Sequence, residues 1–177
     1  PPENLVGNPG DGWKIANTAL SAEREMVGSV EQMKSRLDSL VALARLQSRE
    51  GKTLMQDPVV QDRLISIEGF VEAHRYSVMH QIHAAQTGTG DPRLSLNNKL
   101  SSSEIGKRMA ELAWDLLGQD GLTPPPPDDI AKDNSYEMWR KEYLWSIAYG
   151  IAGGASNIQR DIIAERGLNL PRDLMRG

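Results

Sequence analysis

The residues of this sequence best suited to chemistry lie near its end, in the run Ile151-Ala152-Gly153-Gly154-Ala155-Ser156-Asn157-Ile158-Gln159-Arg160. Paired glycines let another molecule approach the main chain closely, and the N–H groups of Gly154, Ala155 and Ser156 would open a new helix whose positive end favours an anion or a polar ring edge. The same residues also suit a plainer use, in which Gly153-Gly154 ends one helix and Ser156 caps the next. His80 and His83 are spaced to share a helical face, with His74 as a third imidazole. No cysteine or carboxylate pair accompanies them, so a solvated or core-edge role is the better reading and no metal is expected. Trp114, Trp139, Tyr143, Trp145 and Tyr149 could stack a ring, but spread along helices they read as packing residues or an oligomer interface.

Helices must position these groups. Pro1, Pro2, Gly7, Pro9 and Gly10 make residues 1–10 a connecting loop, and a helix cannot start until about Asp11. From Trp13, and then through Met26, Val30, Met33, Leu37, Leu40, Val41 and Leu43, the spacing predicts one long amphipathic helix ending near Gly51. Asp57-Pro58 supplies an N-cap with Pro at the first helical position, and Val59, Val60, Leu64, Ile67, Phe70, Val71, Val78 and Ile82 mark an inward stripe to about Gln86. After the turn cluster Thr87 to Pro92, apolar residues from Leu94 to Leu117 predict a third helix stopping at Gly118. Four consecutive prolines, Pro124 to Pro127, make Gln119 to Asn134 an extended surface loop. Trp139, Tyr143, Leu144, Ile147, Ala148 and Ile151 predict one face of a fourth helix, broken at Gly153-Gly154, with Ile158, Ile162, Ile163 and Leu168 on a fifth. The fold class is therefore all-α, an up-and-down bundle of about four to five helices.

Composition agrees with that class and excludes several functions. Aromatics are only 5% and Phe occurs once, while Ala, Leu, Ile and Met carry the apolar surface, a palette suited to helix packing. A net charge of −4 with scattered basic residues gives no footprint for a phosphate backbone, so no nucleic acid is expected. The absence of cysteine excludes disulfides and zinc–thiolate sites and fits a reducing, cytoplasmic location. No apolar run approaches the ~20 residues a bilayer demands, so no membrane is expected. The start Pro1-Pro2-Glu3-Asn4, without methionine, suggests a piece of a longer chain.

The run Gly-Gly-Ala-Ser-Asn-Ile-Gln-Arg-Asp-Ile-Ile-Ala-Glu-Arg, residues 153–166, resembles the closing motif of acyl-CoA dehydrogenases. Glu3-Asn4-Leu5-Val6-Gly7, Gly12-Trp13-Lys14 and Glu23-Arg24 look like the stretch where that family's β domain hands over to the first long helix of its C-terminal domain, so the resemblance covers almost the whole chain. It implies residues 1–10 as a remnant of the β domain and residues 11–177 as the C-terminal helical bundle. It further implies an FAD-dependent oxidoreductase of lipid degradation. Such an enzyme turns an acyl-CoA substrate into a trans-2-enoyl-CoA, with an electron-transferring flavoprotein as acceptor and a homo- or hetero-oligomer, dimer or tetramer, as assembly.

In that family a carboxylate takes the pro-R proton from the acyl α-carbon while the β-hydrogen leaves as hydride to the flavin. Most members carry this Glu directly before the Gly-Thr of the closing motif, a position that is Gly153 here. A minority resembling the isovaleryl-CoA type carry it on the first long helix, just before an Arg, and Glu23-Arg24 occupies the matching place. The resemblance thus assigns Glu23 as catalytic base. It places Arg24, Gly153 and Gly154 near the thioester, and Ala155, Ser156 and Asn157 toward the flavin. Without the resemblance, Glu23 reads as a helix-start carboxylate stabilised by the macrodipole and Arg24.

The sequence departs from the family in three places. Ala155 stands where the family has Thr, so a hydroxyl to the flavin is missing. Arg45, Arg49 and Lys52 lie in the first interhelical loop without the family's Phe-Gly. Leu116-Leu117-Gly118-Gln119-Asp120-Gly121 replaces its Gln-Ile-x-Gly-Gly-x-Gly stretch. Such divergence resembles family members that pair two unlike subunits, and it leaves a second reading open, a non-catalytic scaffold or dimerisation subunit. On either reading this chain by itself is expected to be inactive without the N-terminal and β domains.

Overall fold

The computed structural model describes residues 4–18, 29–89, 91, 93–123 and 136–171. Residues 12–18 form a first helical segment, α1. The helices that follow are α2 (Val30–Leu46), α3 (Pro58–Thr87), α4 (Arg93–Leu96), α5 (Asn98–Leu117), α6 (Tyr136–Tyr149) and α7 (Ser156–Ile162). Strands β1 (Ser48–Arg49) and β2 (Lys52–Thr53) make a minimal antiparallel hairpin between α2 and α3. The architecture is all-α, with α5 packed against α2, α3 and α6.

Local chemistry accounts for the helix ends. Asp57 accepts the Val59 N–H at 2.8 Å and Pro58 occupies the first turn, where its missing N–H is harmless. Gly88, at φ +68°, closes the same helix in the left-handed conformation. Ser29 caps α2 by accepting the Gln32 N–H at 3.4 Å, and its hydroxyl donates to Glu31 at 2.8 Å, which holds that carboxyl below its ordinary range.

The core lies where α2, α3, α5 and α6 meet. Leu40, Leu43, Leu112, Ala113, Met109 and Trp139 are almost fully enclosed, and each large apolar side chain so buried stabilises the fold by roughly 1.5–3 kcal/mol. Trp114 stacks on Tyr143 with ring centroids 4.8 Å apart, adding an aromatic joint between α5 and α6.

Several sequence expectations are corrected. The single helix from Trp13 to near Gly51 is not one element: Ser29 is non-helical at ψ 126° and starts α2 afresh, and α2 ends at Leu46. Gln47 turns extended, and the chain enters a hairpin whose corner residues, Glu50 and Gly51, both have positive φ. On α3 the inward stripe is Val60, Leu64, Ile67, Val71, His74 and Ala84, while Val59, Phe70 and Ile82 are exposed. A 3.6-residue repeat anchored on Val60 leaves Val59 and Phe70 on other faces. On α6 the inward residues are Trp139 and Ser146, with Tyr143 half-buried, whereas Leu144 (67% exposed) and Ile147 face outward, and Ile151 (69% exposed) lies in the turn beyond the helix end at Tyr149. The fifth helix is shorter than expected, since α7 gives way at Ile163 to a π-helical turn, Ile163–Gly167. After α5, Gly118–Leu122 form a 3-10 turn, and the polyproline loop expected beyond it lies outside the described residues.

Candidate functional site: a glycine elbow between α6 and α7

The end of α6 runs into a tight coil. Gly150, Ile151 and Ala152 donate back to the Ile147 and Ala148 carbonyls at 2.8–3.1 Å. The chain then turns through Gly153 at φ +66° and Gly154 at φ +101°, conformations that L side chains rarely adopt, before Ala155 starts α7. A Cβ on Gly154 would come within 2.5 Å of the Gln159 side-chain nitrogen.

Two buried side chains hold this elbow. Lys99, on the first turn of α5 and 3% exposed, donates from Nζ to the Gly154 carbonyl at 2.7 Å. Gln159, on α7 and likewise 3% exposed, donates from Nε2 to the Gly153 carbonyl at 3.0 Å. Burial pushes the Lys99 amine pKa down, and the negative charge of Glu104 works in the opposite direction. Ser103, one turn along α5, donates to the Lys99 carbonyl at 2.7 Å and lies 3.3 Å from that of Tyr149, tying α5 to the end of α6.

The elbow corrects two sequence expectations. The Ser156 N–H is not free, because it donates to the Gly150 carbonyl at 3.1 Å. The N-cap of α7 is Ala155, with no side-chain cap bond, and the Ser156 hydroxyl points back to the Gly150 carbonyl at 3.4 Å. The N–H groups of Gly154 and Ala155 have no hydrogen-bond partner among the described residues. Asn157 is exposed, its Oδ1 taking the Ile158 N–H at 3.0 Å. Gly153, Gly154, Ala155, Ser156 and Asn157 are thus brought together in one turn, while Glu23 and Arg24 lie outside the described residues.

A cleft of about 230 Å³ opens beside this turn, lined among others by Ser29, Met33, Ser102, Ser103, Glu142 and Tyr149. Its rim is pinned by the Arg36–Glu142 ion pair at 2.9 Å between α2 and α6. The start of α2, six residues after Glu23, therefore shares a cleft with Tyr149, four residues before Gly153. At the other end of α5, a Cβ on Gly118 would lie 4.0 Å from the Arg49 guanidinium, so the hairpin and the Gly118 turn are adjacent.

Other candidates resolve differently. The His74 ring is buried and bonded to the Ser101 hydroxyl at 2.9 Å, and His80 and His83 are exposed. Among the described residues no three His, Asp or Glu side chains cluster as a metal site, and no helix is long and apolar enough to cross a membrane. Sequence reasoning missed Lys99 and Gln159. A lysine in register with the buried residues Ser102, Ser103 and Met109 was the available signal.

The described helices form an all-α bundle whose α6–α7 junction is a glycine elbow. Residues 10–168 match the family described as acyl-CoA dehydrogenase, C-terminal domain, and the chain belongs to it. Acyl-CoA dehydrogenase IpdE1 of Mycobacterium tuberculosis (strain ATCC 25618 / H37Rv) is 34% identical over 172 residues, covering 96% of this chain and 41% of that protein. The fold is shared with a glutaryl-coenzyme A dehydrogenase solved with glutaryl-CoA, at TM-score 0.75 and 22% identity over 97% of this chain and 42% of that one. It is also shared with a chain of the ChsE4-ChsE5 complex from Mycobacterium tuberculosis, at TM-score 0.71 and 22% identity over 95% and 43%. The chain spans about two fifths of the length of these relatives.

Proposed function

We propose that this chain is the C-terminal helical part of an FAD-dependent acyl-CoA dehydrogenase that desaturates an acyl-CoA thioester to the trans-2-enoyl-CoA, with Glu23 as its base. Glycine at position 153 carries the reading. The place where most of the family holds its carboxylate has no side chain and a backbone at φ +66°, so the base must come from elsewhere. Glu23 is the candidate in sequence, six residues before Ser29, which lines a cleft together with Tyr149.

In this reading Glu23 takes the α-proton and Arg24 lies near the thioester. A carboxylate beside an apolar acyl chain loses hydration, and its pKa rises toward the range in which a base works near neutral pH. The elbow fits a flavin edge because the Gly154 and Ala155 N–H groups are unpaired among the described residues. When bound, FAD supplies the acceptor for the β-hydride. With Ala155 in place of Thr, contact here rests on main-chain donors, with Ser156 and Asn157 alongside. The remaining walls belong to the N-terminal and β domains, with residues 1–10 as the end of the latter and residues 11–177 as the helical domain. An electron-transferring flavoprotein is the proposed acceptor.

A second reading keeps the bundle as a scaffold or dimerisation subunit without chemistry of its own. The missing Thr hydroxyl at Ala155 favours it, as does the pairing of two differently named chains in the ChsE4-ChsE5 complex. Native mass and the absorbance spectrum of the purified full-length assembly separate the two. Flavin bands near ~450 nm that bleach on adding acyl-CoA support the dehydrogenase. A colourless assembly sinks it and leaves the scaffold.

A further inference from the structure

Lys99 occupies an unusual place for a lysine. It is 3% exposed and makes no ion pair among the described residues, although an enclosed ammonium needs compensation for its lost hydration. Its Nζ instead meets the main-chain carbonyl of Gly154 at 2.7 Å, and the next carbonyl upstream, that of Gly153, is taken by the equally buried Gln159 at 3.0 Å. Two consecutive peptide groups are therefore gripped by side chains from two different helices.

We propose that Lys99 and Gln159 are positioning residues that clamp the elbow so that the N–H groups of Gly154 and Ala155 form a fixed pair of donors for the acceptor edge of a planar ligand. The argument is geometric. No peptide bond among the described residues is cis, and in a trans peptide the N–H points opposite to the carbonyl. Gln159, holding the Gly153 carbonyl, turns the Gly154 N–H away from itself. Lys99, holding the Gly154 carbonyl, does the same for the Ala155 N–H. Those two N–H groups have no partner among the described residues, as is also true of the Gly153 and Asn157 N–H groups. The flexible glycines would otherwise sample many orientations, and donors fixed beforehand lose less freedom on binding. The inference rests on the elbow facing the flavin, as proposed above, and names the residues that make it do so.

The test uses the full-length protein with Lys99→Met and Gln159→Leu, each removing a donor at similar volume, and Lys99→Arg, which keeps one. Lys107→Met, an exposed lysine on α5, is the control. Both donor deletions should raise the flavin dissociation constant about tenfold or more, and hydrogen exchange across residues 150–160 should quicken by about the same factor. Lys99→Arg should recover most of the affinity, and Lys107→Met should match wild type. If Lys99→Met fails to fold, Gln159→Leu decides alone. A flavin-loaded wild type whose two deletions keep its affinity and its exchange pattern overturns the clamp while leaving the dehydrogenase reading intact. A wild type that binds no flavin overturns that reading and the donor pair with it.

Discussion

The side-chain amide of Gln159 fills the space that a Cβ on Gly154 would need, with its nitrogen 2.5 Å from that position, and it is the same nitrogen that holds the Gly153 carbonyl. A methyl group at Gly154 would push Gln159 off that carbonyl and leave both buried groups unpaired. Gly154→Ala is therefore expected to destabilise the protein by about 2–4 kcal/mol, combining backbone strain at φ +101° with the lost bond. At Gly153 the nearest atom would be Lys99 Cε at an ordinary 3.8 Å, so Gly153→Ala should cost about 1 kcal/mol or less once the unfolded chain's entropy is counted. Denaturant unfolding of the two variants side by side checks the ranking.

Leu112 is fully enclosed on α5, among residues of α2, α3 and α6. Leu112→Ala should lower stability by about 2–5 kcal/mol, whereas the same change at exposed Leu144 should fall within about 0.5 kcal/mol in a monomeric state. Equal losses at both sites would contradict the packing described above.

How much of this was legible in the sequence depended on whether the signal was local. Asp57-Pro58 announces the start of α3 because a cap and a first-turn proline act within one turn. The Gly153-Gly154 break was equally plain, since only glycine sits comfortably at those φ values. The end of α2 was not legible. Gln47 to Gly51 is polar enough to continue a surface helix, and the hairpin depends on positive φ at Glu50, which its residue type does not advertise. The stripe on α3 was read too broadly because apolar residues occur on more than one face, and burial is decided by neighbours distant in sequence. Lys99 escaped notice because its bond reaches from α5 to a turn far along the chain, and Gln159 because polarity alone suggests solvent.

The outward residues Leu144 and Ile147 of α6, with Ile151 in the turn just after it, form a second apolar line away from Trp139. Apolar lines of this kind cover interfaces in larger assemblies. Replacing Leu144 and Ile147 together by Asp should weaken association of the full-length protein about tenfold or more, read as a lower mass in light scattering at micromolar concentration, with helix content unchanged. An unaltered mass would show that this line is not part of the assembly.

Asp91 accepts from the Arg93 side chain at 2.7 and 2.8 Å and from its main-chain N–H at 2.9 Å, and the guanidinium lowers the carboxyl pKa from 3.8 to about 2. A depressed carboxylate contributes stability that is present above the unfolded value of 3.8 and is lost as pH falls through about 2. Carboxyl-detected NMR titration should place the Asp91 midpoint near 2, and Arg93→Ala should return it toward 3.8. A midpoint near 3.8 in the unaltered protein would remove the ion pair from the account.

The central claim is that Glu23 supplies the base that Gly153 cannot. Its most direct test is the rate of flavin reduction by acyl-CoA in the full-length assembly carrying Glu23→Gln, with flavin content and substrate binding measured on the same sample. A loss of about 10²–10⁴-fold in that rate, with flavin retained, is the expected result for removal of a general base. Reduction at the wild-type rate in a flavin-loaded Glu23→Gln assembly would contradict the claim and move the base to another residue or another subunit.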